Sequence, residues 1–200
     1  MFEYKTLLGY LTVFIGIISY VPYFKNIFAG KTKPHAFSWL VWTVLTGIAF
    51  AVQVVAHAGA GSWATGVTAV ICFTVFLLSL FKGERQFTFF DWSALTVAFA
   101  ALLLWRFTNN PILALALVIT TDTVAFLPTF RKAFHRPNEE TASTFAFAAL
   151  KFAIAIGALQ SFTLASWLYP TSTMILNASF FSMLLVRRKQ IALVPTKAFP

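Results

Sequence analysis

The hydrophobic positions of this chain fall into seven long runs separated by short polar turns. The runs are continuously apolar and do not alternate at every second residue, a pattern that predicts helices and not the strands of a membrane barrel. A helix needs roughly 20 apolar residues to cross about 30 Å of hydrocarbon, so runs of this kind predict membrane spans. The predicted helices cover residues 7–28, 37–56, 63–81, 89–106, 112–134, 144–159 and 162–186.

The chain also repeats itself. Residues 19–83 can be laid on residues 125–189 at one constant offset without a gap, most clearly as SYVPYFKNIF against AFLPTFRKAF, in which Pro22 falls on Pro128. Such symmetry is typical of membrane transporters. We therefore predict an all-α integral membrane fold with seven transmembrane helices in a 3+1+3 order. Two parallel three-helix repeats (1–83 and 111–190) are joined by an inverting fourth helix (84–110) and followed by a cytoplasmic tail (191–200).

Composition supports the membrane interpretation. Hydrophobic residues make up 59% of the 200 residues and charged residues only 10%, and the mean hydropathy is +0.79. A water-soluble globule would need more polar surface than this chain provides. The single cysteine, Cys72, lies inside a predicted span, where we interpret it as a small packing residue.

The basic residues predict the orientation. With the amino terminus outside, only Lys5 and Arg106 fall outside, whereas twelve of the 15 lysines and arginines fall inside and Lys151 lies in a span. The positive-inside rule then predicts a multi-pass protein of the cell membrane with its carboxy terminus in the cytoplasm. The twelve are Lys25, Lys31, Lys33, Lys82, Arg85, Arg131, Lys132, Arg136, Arg187, Arg188, Lys189 and Lys197.

The net charge of +9 points to a lipid partner. The basic residues sit in short turns beside apolar helices, where attraction to anionic headgroups of membrane lipids explains them, so a nucleic acid partner is not expected. The sequence is compatible with a homo-oligomer and leaves the oligomeric state open.

The paired proline blocks resemble those of the SWEET and PQ-loop transporter superfamily. In this chain the dipeptides are Pro22-Tyr23 and Pro128-Thr129, each near the inner end of the first helix of its repeat. The KPHAFSWLVW stretch is also similar to the second helix of a type of small bacterial membrane protein. The resemblance implies a carrier of a small polar solute. It also implies that Asn177 binds the solute, because SWEET carriers have a substrate-binding asparagine in the seventh helix.

Pro22 and Pro128 are candidate gating residues. A proline inside a helix removes one backbone donor and clashes with the carbonyl four residues earlier, here that of Ile18 or Val124, so both first helices should bend near the inner face. Matched bends in two repeats suggest an inner gate. The alternative is a packing kink that neighbouring helices tolerate.

Asp122 and Lys151 carry the strongest chemical signal. Each lies far from the ends of its predicted helix, at a depth of about 10 to 15 Å. Since an ionised side chain costs about 2.5 to 3.5 kcal/mol at this depth, we expect the two to form an ion pair or to share a water-filled cavity. The pair is interpreted as a structural clamp between the fifth and sixth helices, a substrate-binding site or a proton-coupling site. The equivalent positions in the first repeat, Gly16 and Leu45, carry no charge.

Three other side chains are candidates for the substrate pocket. Asn177 lies near the middle of the seventh helix, Trp42 is deep enough to cover the inner end of a cavity, and Tyr169 lies near the outer end. The alternative for Asn177 is a hydrogen bond between helices that only stabilises the bundle. The alternative for Trp42 and Tyr169 is ordinary packing, because a chain this rich in aromatic residues places many of them on helix faces by chance. Thr120, Thr121 and Thr123 flank Asp122 and either line the same cavity or bond their own helix backbone.

The sequence contains no signature of an enzyme, a metal site or a cofactor. The three histidines lie in turns without carboxylate or cysteine partners at ligand spacing, and no nucleophile elbow or phosphate loop is present. Three hypotheses remain: a carrier moving a small polar solute by alternating access, a ligand-binding membrane receptor, and a lipid-handling protein. The carrier is favoured, because it alone uses the repeats, the paired prolines and the midplane charges.

Overall fold

The computed structural model describes residues 2–30, 34, 36–83, 89–140 and 142–192. Within these ranges the chain is helical and contains no strand, which confirms the predicted all-α class. Several predicted features lie outside the described residues, namely Lys31, Lys33, Arg85, Lys197 and the tail from residue 193 onward. The helices are α1 (Phe2–Phe28), α2 (Ala36–Val55), α3 (Trp63–Lys82), α4 (Phe89–Thr108), α5 (Pro111–His135), α6 (Ala142–Gly157) and α7 (Leu164–Ala192).

The connections between helices follow from local sequence. The Asn109–Asn110 turn reverses the chain with Asn109 in the left-handed region (φ 50°), and Asn110 Oδ1 accepts a hydrogen bond from Ile112 N at 3.1 Å. Asn110 thereby caps α5, and Pro111 takes the first helical position, where a missing N–H costs nothing. A single 3₁₀ turn, Gly59–Ser62, leads into α3.

Three helical stretches of the described chain are long and apolar enough to cross a membrane: Glu3–Phe28, Ala36–Val55 and Gly59–Lys82. Three shorter apolar helices cover Leu95–Thr108, Pro111–Leu127 and Ala142–Gly157. Large apolar side chains are exposed along many of the helices, including Phe14, Val70, Leu103, Val124 and Ile175. A surface of this kind fits lipid and not water.

The packing order of the helices is the same in both repeats. In residues 1–83, called here the first half, α3 packs against both α1 and α2; in residues 111–190, the second half, α7 packs against both α5 and α6. Between the halves α1 packs against α6, and α2 against α5, while α4 lies against α2 and α5. If the two halves were interchanged, the α1–α6 contact would take the place of the α2–α5 contact, and the reverse. The packing between the halves is therefore symmetric in its helix order.

Aromatic pairs repeat at the same offset. Tyr20 and Trp39 form an edge-to-face pair with ring centroids 6.3 Å apart, and their equivalents, Phe126 and Phe145, form one at 6.0 Å. Each pair joins the first helix of its half to the second. The alignment made from sequence thus places residues in equivalent tertiary positions.

Candidate functional site

Lys151 is buried in the interior on α6, with a relative exposure of 3%. Its stem lies beside Gly16 of α1, where a Cβ atom would come 3.4 Å from Lys151 Cδ. Its ammonium donates a hydrogen bond to Thr68 Oγ1 of α3 at 2.7 Å and lies 4.7 Å from the ring centre of Phe152. The missing side chain at position 16 leaves room for the lysine, and Thr68 supplies its acceptor.

Asp122 lies on the face of α5 that packs against α2. The indole N–H of Trp42 is its hydrogen-bond donor, and the residue is half-buried. Tyr20 of α1 and Tyr169 of α7 lie within electrostatic range of the carboxylate. Asp122 therefore bonds a side chain of the first half and interacts electrostatically with a hydroxyl from each half.

The predicted ion pair between Asp122 and Lys151 is wrong. Among the described residues no carboxylate lies within salt-bridge distance of Lys151, and the lysine bonds Thr68 instead. The physical reason is the packing order: α6 faces α1, and α5 faces α2, so the two charges lie at different interfaces between the halves. The clamp that such a pair would have formed between α5 and α6 is excluded with it.

Cys72 of α3 is a buried thiol that interacts electrostatically with both charges. It is 3% exposed and within electrostatic range of both Lys151 and Asp122, and Thr46 lies beside its thiol. Thr68 and Cys72 are one helical turn apart on α3, so both face the same interior region. The interpretation of Cys72 as a packing residue is confirmed, since it lies in a buried apolar cluster with Ile27 and Val75. Thr68 and Thr46 were not recognised from sequence, because a lone hydroxyl in an apolar run carries no sign of the direction it faces.

The α7 candidates lie on one buried stripe. Tyr169 is 3% exposed and packs edge-to-face on Phe152 with ring centroids 6.2 Å apart. Asn177 is buried, and its Nδ2 donates to Thr173 O of its own helix at 2.8 Å. Tyr169 thus connects the surroundings of Lys151 and Asp122, whereas one amide hydrogen of Asn177 is engaged by its own backbone.

The remaining predicted residues occupy simpler positions. Pro22 lies inside α1 with its ring exposed, and residue 128 lies inside α5. Thr120 and Thr123 are exposed, and each hydroxyl donates to a carbonyl of α5 itself at 2.7 Å. These threonines therefore stabilise their own helix. The described part of the chain contains no group of three His, Cys, Asp or Glu side chains that could hold a metal ion.

The two halves are joined at the end of the bundle that carries the α2–α3 and α6–α7 turns. It is called here the outer end, because the distribution of basic residues predicts that it lies outside. Among the described residues, three hydrogen bonds cross between the halves there: Lys5 Nζ to Leu159 O (2.6 Å), Gln160 N to Ala58 O (2.9 Å) and Gln53 Nε2 to Ser166 O (3.0 Å). The turns lie so close that a Cβ on Gly61 would approach Leu159 Cα to 2.8 Å. A groove of about 380 Å³ lies beside this contact, between Phe50, Trp63 and Gln160.

At the opposite end, Arg187 and Arg188 make hydrogen bonds within the second half. Arg187 Nε donates to Phe134 O at 2.9 Å. Arg188 donates to Pro137 O and, at 2.6 Å, to Glu140 O. These bonds tie the end of α7 to the end of α5 and the turn that follows it.

Comparisons of the chain with protein-family models, with curated proteins and with solved structures give no match. The resemblance to the SWEET and PQ-loop superfamily rests on the sequence blocks alone and stays a prediction.

Proposed function

We propose that this protein is a membrane carrier that moves a small polar solute by alternating access through the space between its two halves. In this proposal seven helices cross the membrane in a 3+1+3 order, with the amino terminus outside and the fourth helix inverting the second repeat. The carrier has no enzymatic activity and uses no cofactor.

The observation that carries the proposal is the position of the two interior charges. Lys151 lies where α6 meets α1 and Asp122 lies where α5 meets α2, and these two contacts exchange when the halves are exchanged. Intramembrane ionisable residues that face the bundle interior mark solute or ion pathways. A rocking motion of one half against the other changes the surroundings of both charges at once.

The contact at the outer end supports a closed outer gate in this conformation. The three hydrogen bonds between the halves and the tight glycine turn would have to separate before a solute could enter from outside. Pro22 and Pro128 lie toward the other ends of α1 and α5, where the bends that prolines cause provide a place for an inner gate.

Reversible cross-linking of the outer end tests the proposal. Ala58→Cys and Gln160→Cys are combined in a Cys72→Ala background, whose own uptake sets the reference, and the protein is reconstituted in liposomes with a panel of radiolabelled solutes. Oxidation should hold the outer end closed and stop exchange of the transported solute, and a reductant should restore it. The matched control joins Phe134→Cys to Arg187→Cys within the second half and should leave exchange unchanged.

Two results would contradict the carrier. If exchange is equal in the oxidised and reduced protein, the halves do not separate at this end during transport. If no solute moves with or without a pH gradient, but one of them shifts the rate of cross-linking, the protein is a ligand-binding receptor on the same scaffold.

A further inference from the structure

Two opposite charges lie in the interior of this molecule without pairing. Within the described residues Lys151 has one hydrogen-bond acceptor, the hydroxyl of Thr68, and Asp122 has the Trp42 indole as its donor. Both partners are neutral, although an ammonium has three donors and a carboxylate has two acceptor oxygens. Each charge therefore has hydrogen-bonding capacity left for another group.

Polar and small groups surround the two charges. The Cys72 thiol is within electrostatic range of both, and the Tyr20 and Tyr169 hydroxyls are within range of Asp122. Gly16 removes a side chain beside Lys151. A small ligand between the charges would meet hydroxyl and thiol groups on several helices and an ionic group on each side.

From this arrangement we propose that the transported solute is zwitterionic, with its anionic group bound by Lys151 and Thr68 and its cationic group bound by Asp122. The inference rests on the carrier function proposed above and names the class of its substrate. A zwitterion completes both ion pairs at once. A neutral sugar leaves both charges unpaired. A simple amine pairs with Asp122 but is repelled by Lys151, and a simple carboxylate pairs with Lys151 but is repelled by Asp122, so these compounds are discriminated against.

The same chemistry occurs in a zwitterionic lipid headgroup, and the structure favours a free solute. Lys151 is 3% exposed and enclosed by Gly16, Thr68 and Phe152, which lie on α1, α3 and its own helix α6. A headgroup that reached it would have to bring two acyl chains between packed helices. A free amino acid carries no acyl chains and needs only a small opening between the halves.

The test is counterflow uptake into liposomes that contain the full-length protein. The zwitterionic probes are glycine, β-alanine, γ-aminobutyrate and ε-aminohexanoate, in which the distance between the charges increases stepwise. The matched probes are butyrate, butylamine and glucose. We expect one or two neighbouring members of the zwitterion series to enter at least about tenfold faster than any matched probe, a difference of about 1.4 kcal/mol.

Variants of Asp122 and Lys151 test whether each charge binds one group of the zwitterion. Asp122→Asn and Lys151→Met should each raise the half-saturation concentration of the preferred zwitterion by at least about tenfold, because each leaves one ligand charge unpaired. Lys151→Arg, which keeps the charge, should retain part of the affinity. Thr120→Val serves as the control next to Asp122, since Thr120 is exposed and bonds its own helix, and should behave as the parent protein. Thermal unfolding of each variant in detergent shows that it is folded.

The outcomes separate this inference from the carrier proposal. If glucose or a singly charged probe is carried as well as the zwitterions, or if Asp122→Asn and Lys151→Met carry them normally, the carrier stands and the zwitterion assignment is wrong. If no zwitterion enters, but the protein moves fluorescent phosphatidylethanolamine across the bilayer and both variants abolish this movement, a lipid headgroup is the ligand and the free solute is refuted. If none of the probes moves, the zwitterion assignment is wrong, and the carrier is judged by the cross-linking test with the wider solute panel.

Discussion

Replacing Gly61 by alanine tests the contact between the halves most directly. Gly61 lies in the 3₁₀ turn before α3, packed against the end of α6 in the second half. An alanine Cβ at this position would lie 2.5 Å from Leu159 Cδ2, 2.8 Å from Leu159 Cα and 2.9 Å from Ala155 O. Two of these atoms belong to the backbone and cannot turn aside, so the two turns must move apart.

The expected loss follows from overpacking at a tight contact. Forcing one methyl group into a well-packed site costs about 1 to 3 kcal/mol. For a chain of about 200 residues each kcal/mol corresponds to roughly 2 to 4 °C, so Gly61→Ala should lower the midpoint of thermal unfolding by about 2 to 12 °C. The control is Gly47→Ala in α2, where a Cβ meets no atom within 4 Å. It should leave stability unchanged or raise it by up to about 1 kcal/mol, because alanine favours a helix over glycine.

Two measurements on detergent-purified protein decide the outcome. Thermal unfolding gives the stability difference between Gly61→Ala and Gly47→Ala, and hydrogen–deuterium exchange follows the Gln160 amide, which donates to Ala58 O across the contact. Gly61→Ala should speed exchange at Gln160, and Gly47→Ala should not. Equal unfolding temperatures together with unchanged protection of Gln160 would refute the close approach of the two turns.

Two further predictions concern the buried lysine and the arginine at the end of α7. Thr68→Val removes the acceptor of a buried ammonium and should lower the free energy of unfolding by about 1 to 3 kcal/mol, whereas Lys151→Met removes the charge and should be neutral or stabilising. Equal losses in the two variants would contradict the hydrogen bond. Arg188→Met leaves the Pro137 carbonyl without its donor and should cost about 1 to 3 kcal/mol and speed proteolysis of the adjacent turn. Lys189→Gln, at an exposed neighbouring position, should change the free energy of unfolding by no more than about 0.5 kcal/mol. The same value for both variants would show that the hydrogen bonds of Arg188 do not stabilise this end of α7.

The helices could be predicted from sequence because a lipid environment demands long apolar runs with every backbone group satisfied internally. The seven predicted ranges match α1 to α7, with differences mainly at the ends. The seventh helix was predicted to end at residue 186 and runs to Ala192. Arg187 and Arg188 continue it, because their side chains find carbonyl acceptors on α5 and in the following turn, and those contacts exist only in the folded chain.

The offset that relates the two halves could also be found from sequence, because their proline-containing blocks are similar. Tyr20 with Trp39 and Phe126 with Phe145 form corresponding contacts at the offset found by alignment. A separate argument, from side-chain chemistry and depth along the helix, proposed Asp122, Lys151, Trp42 and Tyr169 as candidate site residues. Charges and indoles are costly or distinctive in an apolar run, so they can be recognised without knowing what surrounds them.

The neighbours of these residues were decided by the packing of the helices alone. Depth along a helix follows from counting residues, and on that basis Asp122 and Lys151 lie at the same level. Which helix faces which is set by how all the side chains interlock, and here α6 meets α1 while α5 meets α2. That arrangement separates the two charges and gives each a neutral hydrogen-bond partner, Thr68 for Lys151 and Trp42 for Asp122, in place of the expected ion pair. Linear spacing carries no information about rotation between helices, and therefore none about these partners.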